Sequence, residues 1–447
     1  MDAGPLSSGG VLRHRGAVST LPGVSLIILN YNGRAYLDRC LQSALALEYP
    51  GDQLEIILCD NGSSDGSADY VRTQYAGVRV IALEQNYGFA EGNNRAAKAA
   101  RHPWIAFVNN DMWFKESWLR DFVSAVADHP SIGCFSGRIM NWNGTAIDFI
   151  GGALNFEGHG FQLDHGASAS PLDRERRVIA PCGGAMLIKR DLFQLAGGFD
   201  PLYFSFFEDT DLGWRLNLLG HEVLYTPRAT TYHREHATAR KFPAHRLRVL
   251  YERNALFTIY KCLDDGNLAL ALPAALLLSN ERALRLARIQ LDDFRIEPGA
   301  PPPEAASDPL DEPETVTKES LAEKSKRALR EEGWPALAAK GAGYLRAHGL
   351  AGLRRSVNQG GKFLPNISLS HYVAMHQFAE RLDDLNEKRR SLQANRVRSD
   401  KDLAPLFADP FRPTWSDPDY VRFHRRLSWA IGVRDRFANP ASETARG

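Results

Sequence analysis

Cysteine is scarce in this chain: five residues in 447, Cys40, Cys59, Cys134, Cys182 and Cys262, with no Cys-x-x-Cys pair. That excludes a disulfide-stapled scaffold and a cysteine-rich zinc site, and reads as reduced thiols in a cytoplasmic protein. Charge of one sign is also lacking. Lys plus Arg number 54 against 53 Asp plus Glu, so the formal net charge of +1 exerts no global pull toward nucleic acid. Long hydrophobic runs are missing too. The longest, Leu268 to Leu278, falls far short of the ~20 residues a spanning helix needs. Residues 1–20 have no apolar core, so no signal peptide is expected. The protein is expected to be soluble or to lie on a membrane without crossing it. Neither G-x-G-x-x-G nor G-x-x-x-x-G-K-[ST] occurs, which argues against a dinucleotide oxidoreductase and a P-loop NTPase. No internal repeat is visible.

What is present is length, enough for two or three domains, and a hydrophobic content of 44% that can bury a sizeable core. VSLIILN (Val24–Asn30), LEIILCD (Leu54–Asp60) and VRVIAL (Val78–Leu83) read as strands covered on both faces. Ala35–Leu47, Ser67–Tyr75 and Gly88–Ala100 supply crossover helices, and WIAFVNND (Trp104–Asp111) a fourth strand. This alternation predicts a parallel α/β sheet of the nucleotide-binding kind. Further strands are expected at Ile132–Met140, Ala185–Ile188 and Glu222–Tyr225, and a loop over His159–Arg177. The chain divides on this reading into a flexible leader (1–21), a catalytic domain (22–240), a helical extension (241–297), a Pro-rich acidic linker (298–316) and a helical C-terminal region (317–447). One charged helix is expected near Tyr372–Arg398.

In open α/β sheets, ligands bind beyond the carboxyl ends of the strands. Here those ends read LNYNG, CDNGSSDGS, EQNYGFAEGNN and VNNDM, all polar and in register with the expected strands. Asp60 ends a strand, where a carboxylate can accept the ring N–H of a pyrimidine; a turn-forming Asp before Asn61-Gly62 explains it equally well. Asp111, with Asn109 alongside, is placed to hold a divalent metal on two phosphates, or to be a turn residue.

These stretches resemble family 2 glycosyltransferases of the GT-A fold, in particular the bacterial rhamnosyltransferase-like branch. The resemblance covers Val24 to about His236. It rests on Asn30-Tyr31-Asn32-Gly33, on Asp60 to Ser67, on Asn86 to Asn93, on Asp111 in the position of the metal-binding Asp, and on Gly197-Gly198-Phe199-Asp200 followed by Glu208-Asp209. Asn109 replaces the first Asp of the stricter motif. The resemblance implies a mixed sheet flanked by helices, followed by a mostly helical C-terminal region. It implies transfer, with inversion, of rhamnose or a similar hexose from a nucleotide donor, dTDP- or UDP-linked, to a hydroxyl of a glycan or lipid-linked acceptor. Asn30, Asn32, Asp60, Asn86, Asn94 and Asn110 would hold the donor, and Mg²⁺ or Mn²⁺ would sit on Asp111 and His233, with His236 as a rival ligand.

Such a reaction needs one general base. Three carboxylates crowd FSFFEDTDLGWRL: Glu208, Asp209 and Asp211. Ser205 and Glu208 fit a capping box, and Asp211 lies four residues before Arg215, so Asp209 alone lacks a local duty. The resemblance also places the base there. Glu208 and Trp214 are assigned to the acceptor, although Trp214 equally fits a core position. Leu268–Ser279 followed by Arg282, Arg285 and Arg288 suits a helix in the plane of an anionic membrane, or one packed on the catalytic domain with a basic edge. The expected location is cytoplasmic, with peripheral contact at the inner membrane face, and the C-terminal helices offer a route to self-association. Two readings compete: a non-catalytic nucleotide-sugar-binding assembly protein, and a nucleotidyltransferase, which the absence of a basic triphosphate loop ranks last.

Overall fold

A computed structural model of the protein describes residues 21–169, 173–234, 243–289 and 364–437. The leader, the Pro-rich linker, residues 317–363 and His236 lie outside the described residues. The chain divides into two units, Met1–Arg282 with Ser370–Gly447, and Ala283–Leu369. The first unit contains the whole sheet.

The chain opens β1 (Val24–Asn30), α1 (Arg34–Leu45), β2 (Leu54–Asp60), α2 (Ser67–Gln74), β3 (Arg79–Ala82), α3 (Gly88–Ala99) and β4 (Trp104–Asn109). It continues with β5 (Met112–Phe114), α4 (Trp118–Asp128), β6 (Cys134–Asn141), β7 (Ile147–Phe149), β8 (Gly152–Leu154), β9 (Gly160–Gln162), β10 (Arg176–Val178) and β11 (Ala185–Lys189). Then come α5 (Arg190–Leu195), α6 (Glu208–Leu218), β12 (Val223–His233), α7 (Ala244–Cys262) and α8 (Asp265–Leu286). The last helices are α9 (Asn366–Glu380), α10 (Leu382–Ala394), α11 (Asp400–Leu403), α12 (Pro418–Ala430) and α13 (Val433–Phe437).

One mixed sheet has the order β10-β12-β6-β11-β4-β1-β2-β3, with β5 and β7 paired at its side. β1 lies between β2 and β4, parallel to both, so the pleat sends alternate residues to opposite layers. Val24, Leu26 and Ile28 pack with α1 residues Leu37 and Leu41, while Ile27 joins Ala96 and Ala97 of α3 in the other core. The continuous apolar run in β1 therefore has a cause: both of its faces are covered. β3 differs from that expectation. It is a four-residue edge strand whose side chains are only partly buried or exposed, because nothing pairs beyond it. The mixed character comes from β11, antiparallel to β4 and β6. β12 runs well past the short strand expected at Glu222–Tyr225, with a register shift between Thr226 and Thr230. The segment expected as a loop over His159–Arg177 contains β9 and β10.

The charged helix expected near Tyr372–Arg398 is two helices, α9 and α10, broken at Arg381. Of the three arginines expected to form a basic face after Leu268–Ser279, Arg282 turns inward while Arg288 is exposed. Arg282 is buried, with Nη1 2.7 Å from Glu157 and Nη2 2.7 Å from Glu252. Ala271, Ala274, Ala275 and Leu278 of α8 are core residues. The same polar cluster reaches α12, where the Tyr420 hydroxyl accepts from Arg282 at 2.5 Å. Among the described residues, no helix is long and apolar enough to cross a membrane.

Candidate active site

Strand register brings the polar strand ends together. Asn30 lies beside Asp60 across β1 and β2, and Leu29 beside Asn109 across β1 and β4. Asn30 is fully buried and bridges its neighbours: its amide donates to Asp60 Oδ1 at 2.8 Å and its carbonyl accepts from Asn110 at 2.6 Å. Asp60 also accepts from the Ser63 N–H at 3.1 Å, the turn role foreseen for it. Asn32, with φ +50, accepts from the Ser64 N–H at 2.8 Å and so ties the first loop to the second. Asn86 accepts from the buried Asn61 amide at 3.0 Å and from the Gly88 N–H at 2.9 Å. Asn94 is placed differently from the others. It donates to Phe199 O at 2.7 Å and accepts from Phe199 N at 3.0 Å, so both ends of its amide serve the Gly197–Asp200 turn.

Antiparallel pairing of β5 with β12 sets His233 opposite Met112, next to Asp111. His233 Nε2 is 3.4 Å from Asp111 Oδ1, and Nδ1 is 2.5 Å from Asp148 Oδ2. Burial disfavours charge on this imidazole, but the two carboxylates outweigh it and raise the pKa to about 10. Asp148 was not singled out by sequence reasoning. It is buried and braced by Gln162 at 2.9 Å, in the manner of a carboxylate that fixes a metal-ligating histidine. Two ligands at right angles around a divalent cation lie about 3 Å apart, so the spacing of Asp111 and His233 fits an open site completed by substrate oxygens. Among the described residues, no group of three or more His, Cys, Asp or Glu is arranged to hold a metal ion by itself.

The three carboxylates of α6 have three environments. Asp211 is fully buried and pairs with Arg215 at 2.8 Å, as the four-residue spacing suggested, and with Lys261 of α7 at 2.7 Å. Lys261 also meets Asp200 at 2.6 Å, and Lys388 of α10 meets Asp200 at 2.9 Å. Glu208 overturns the capping-box expectation. Phe207, in the left-handed region, precedes the helix without any side-chain cap, and Glu208 Oε2 is buried without a partner. Burial, then the neighbouring Asp209 and Asp211 charges, raise its pKa well above the usual carboxylate range. Asp209 is partly open to solvent. Its Oδ2 accepts from the Gly183 N–H at 2.8 Å and its Oδ1 from the Thr210 N–H at 2.7 Å. Burial raises its pKa against the pull of those bonds. Trp214 corrects the acceptor assignment: it is fully buried against Phe407, ring centroids 5.0 Å apart, so no face is open to a sugar.

Sequence reasoning also missed what joins the two sides. Gly183 holds Asp209 through its N–H, and a Cβ on it would come 3.3 Å from Asp209 Cβ. A Cβ on Gly184 would come 2.7 Å from the Asn109 amide. This glycine pair, in PCGGAML before a strand, lies between the base candidate and the strand end that carries Asp111. The loop before α6 is equally constrained. Phe204, Phe206 and Phe207 have φ of +62, +71 and +66, a costly state for bulky side chains. The fully buried Asn254 of α7 holds it, donating to Tyr203 O at 3.1 Å, Ser205 O at 2.9 Å and Phe206 O at 2.7 Å.

A mixed sheet with polar strand ends, a carboxylate–histidine pair and a partly open helix-start carboxylate make up the candidate site. Residues 25–193 match the model of glycosyl transferase family 2, so that stretch of the chain is similar to that family. It is 28% identical over 245 residues to the N-acetylglucosaminyl-diphospho-decaprenol L-rhamnosyltransferase of Mycobacterium tuberculosis, covering 49% of this chain and 79% of that one. It is 29% identical over 237 residues to the O-antigen biosynthesis protein RfbC of Myxococcus xanthus, a match of 51% of this chain but only 18% of that protein's length. Among solved structures, the mannosyltransferase PcManGT of Pyrobaculum calidifontis, in complex with GDP-Man and Mn²⁺, aligns with a TM-score of 0.41 at 15% identity, over 82% of this chain and 91% of that one.

Proposed function

We propose that the protein is a metal-dependent, inverting hexosyltransferase of cell-surface or cell-wall glycan synthesis. The donor on this reading is a dTDP- or UDP-sugar, rhamnose or a similar hexose, and the acceptor a hydroxyl of a glycan or lipid-linked saccharide. The lipid-linked acceptor in the mycobacterial relative's name supports the latter choice. The reading includes a cytoplasmic location. The observation that carries the reading is the Gly183-Gly184 bridge, with Asp209 bound on one side and Asn109 packed on the other.

Asp209 serves as the general base. Two backbone N–H bonds fix its carboxylate, and its raised pKa keeps it a better proton acceptor than a solvated carboxylate. It takes the acceptor hydroxyl proton as that oxygen bonds to the anomeric carbon and the bond to the diphosphate breaks. Asp60 and Asn30 hold the base of the nucleotide at the strand ends. Asp111 and His233 would hold a divalent cation, Mg²⁺ or Mn²⁺, which supplies charge stabilisation to the departing diphosphate. Asp148 keeps Nδ1 of His233 occupied, which leaves Nε2 facing Asp111.

Asp209→Asn tests the assignment. Transfer should fall by about 10²–10⁴-fold while nucleotide binding by calorimetry stays intact. Retention of more than about a tenth of the wild-type rate sinks the role of Asp209. Nucleotide binding by the wild type without transfer, under either metal, would instead favour the assembly-protein reading.

A further inference from the structure

The helix α12 carries a surface that catalysis does not use. Its inward side is anchored: the N-cap Asp417 accepts from the Tyr420 N–H at 2.9 Å, while Tyr420, His424 and Ser428 are buried. His424 faces Glu157 at 3.4 Å, and Tyr420 joins the Arg282 cluster. The outward side reads Arg422, Arg425, Arg426 and Trp429, the i, i+3, i+4, i+7 positions of one helical stripe. All four are exposed.

Trp429 is 58% exposed, the one aromatic among the large apolar side chains exposed in the described residues. It is not loose. Arg434 of the following turn lies 5.3 Å from its ring centroid and 4.6 Å from that of Phe411, and donates to Ser428 Oγ at 3.1 Å. Asp419 pairs with Arg422, whereas Arg425 and Arg426 extend into solvent. Over residues 418–437 there are five arginines and two aspartates, in a chain whose net charge is only +1. The positive charge is thus concentrated where the exposed indole stands.

We propose that the Arg422–Arg425–Arg426–Trp429 stripe is the docking face of the protein on an anionic phospholipid bilayer. The chemistry of the stripe fits that partner. Arginines at an anionic surface gain attraction without needing a fixed geometry, and an indole at headgroup level is apolar in its ring and polar at its N–H. A helix with a basic face and one Trp, anchored by its other side, lies in the interfacial plane and does not insert across it. Arg282 of α8, by contrast, is consumed in the buried cluster and cannot reach such a surface. The inference stands independently of the transfer reaction.

Vesicle co-sedimentation of the full chain tests it. With vesicles of about one-third phosphatidylglycerol in phosphatidylcholine, wild type should pellet, and raising the salt should release it. Arg425→Glu with Arg426→Glu should weaken that partition at least about tenfold. Trp429→Ser should weaken it by about three- to tenfold at any salt. All these residues are exposed, so the melting temperature should hold, and its measurement guards against unfolding. A matched reversal of two exposed lysines on other elements, Lys98→Glu with Lys401→Glu, should leave partition within about twofold if position matters more than net charge. Equal binding to pure phosphatidylcholine, no binding to anionic vesicles, or equal loss in the lysine control would each overturn the proposal. Failure to sediment combined with capture of an acidic protein would point to a protein partner and would overturn it too.

Discussion

Around Asp60 the site is held by hydrogen bonds between neighbours in a parallel sheet, whereas around Asp209 it is held by buried ion pairs and a strained loop. Asn30, Asp60 and Asn110 form a chain of side chains on adjacent strand ends, each reached through register alone. The segment that carries Asp209 is instead held at Asp200, Asp211 and the Phe206 carbonyl by Lys388, Lys261 and Asn254, which come from α7 and α10, far along the chain. Such a network, which holds no buried cation, tolerates the loss of a member better than buried ion pairs, because an unpaired charge keeps its full desolvation cost. The two sides should therefore respond differently to comparable substitutions.

The largest difference is expected between Asp211→Asn and Asp60→Asn. The first leaves Arg215 and Lys261 buried with one carboxylate fewer, and should cost about 3–5 kcal/mol by chemical denaturation. The second keeps one acceptor but turns an amide NH2 toward the other donor, the Asn30 amide or the Ser63 N–H, and should cost about 1–2 kcal/mol, while nucleotide affinity collapses. Equal stability losses would show that the contrast is wrong.

Next comes Gly88→Ala, at the joint between the two sides. Gly88 has φ +82, and a Cβ there would stand 2.4 Å from Phe204 O. Backbone cannot move aside as a side-chain tip does, so a loss of about 3 kcal/mol is expected, with transfer reduced along with it. Gly66→Ala is the control. It shares the positive φ, +76, but has open space around it, and should lose only about 1–2 kcal/mol.

Asn254→Ala follows, with a smaller cost of about 2 kcal/mol, because Tyr203 O keeps Arg253 and the Ser205 N–H as donors while the Ser205 and Phe206 carbonyls lose Asn254. Its sharper effect is on chemistry. With the loop relaxed, Asp209 loses its aim, so kcat should fall at least about tenfold while nucleotide affinity is unchanged. A matching loss in both would mean that the loop supports the whole fold and not the base in particular.

The same contrast decides what could be read from the sequence. Strands β1, β2 and β4, their helices and the polar ends at Asn30, Asp60 and Asp111 were legible, because apolar periodicity and turn residues are local signals. The pairing of Asp211 with Arg215 was legible for the same reason, being one helical turn long. Glu208 was misread because S-x-x-E describes a cap only when the preceding backbone is extended, and here Phe206 and Phe207 are left-handed. Trp214 was misread because α6 is buried on nearly all sides, by helices that arrive from beyond residue 370. Asp148, Asn254 and the Gly183-Gly184 bridge act through tertiary contacts, which leave no spacing to find.

Glu208 gives the smallest predicted effect and the finest test of the contrast. Its folded pKa is raised, so between the ordinary glutamate value and the folded value the native state binds a proton that the unfolded chain has released. Stability must then fall as pH rises through that window, by at most about 1.4 kcal/mol per pH unit. Glu208→Gln removes the titration and should flatten the slope of denaturation midpoint against pH, with no matching change for the Asp60 side. The Asp209 shift has the same direction but is read through activity. The base works deprotonated, so transfer should decline as pH falls, with the acid limb above the ordinary aspartate range. Burial, not the Glu208 charge, drives the Asp209 shift, so Glu208→Gln should leave that limb in place. A limb that moves to lower pH would mean that the Glu208 charge, and not burial alone, sets the basicity of Asp209.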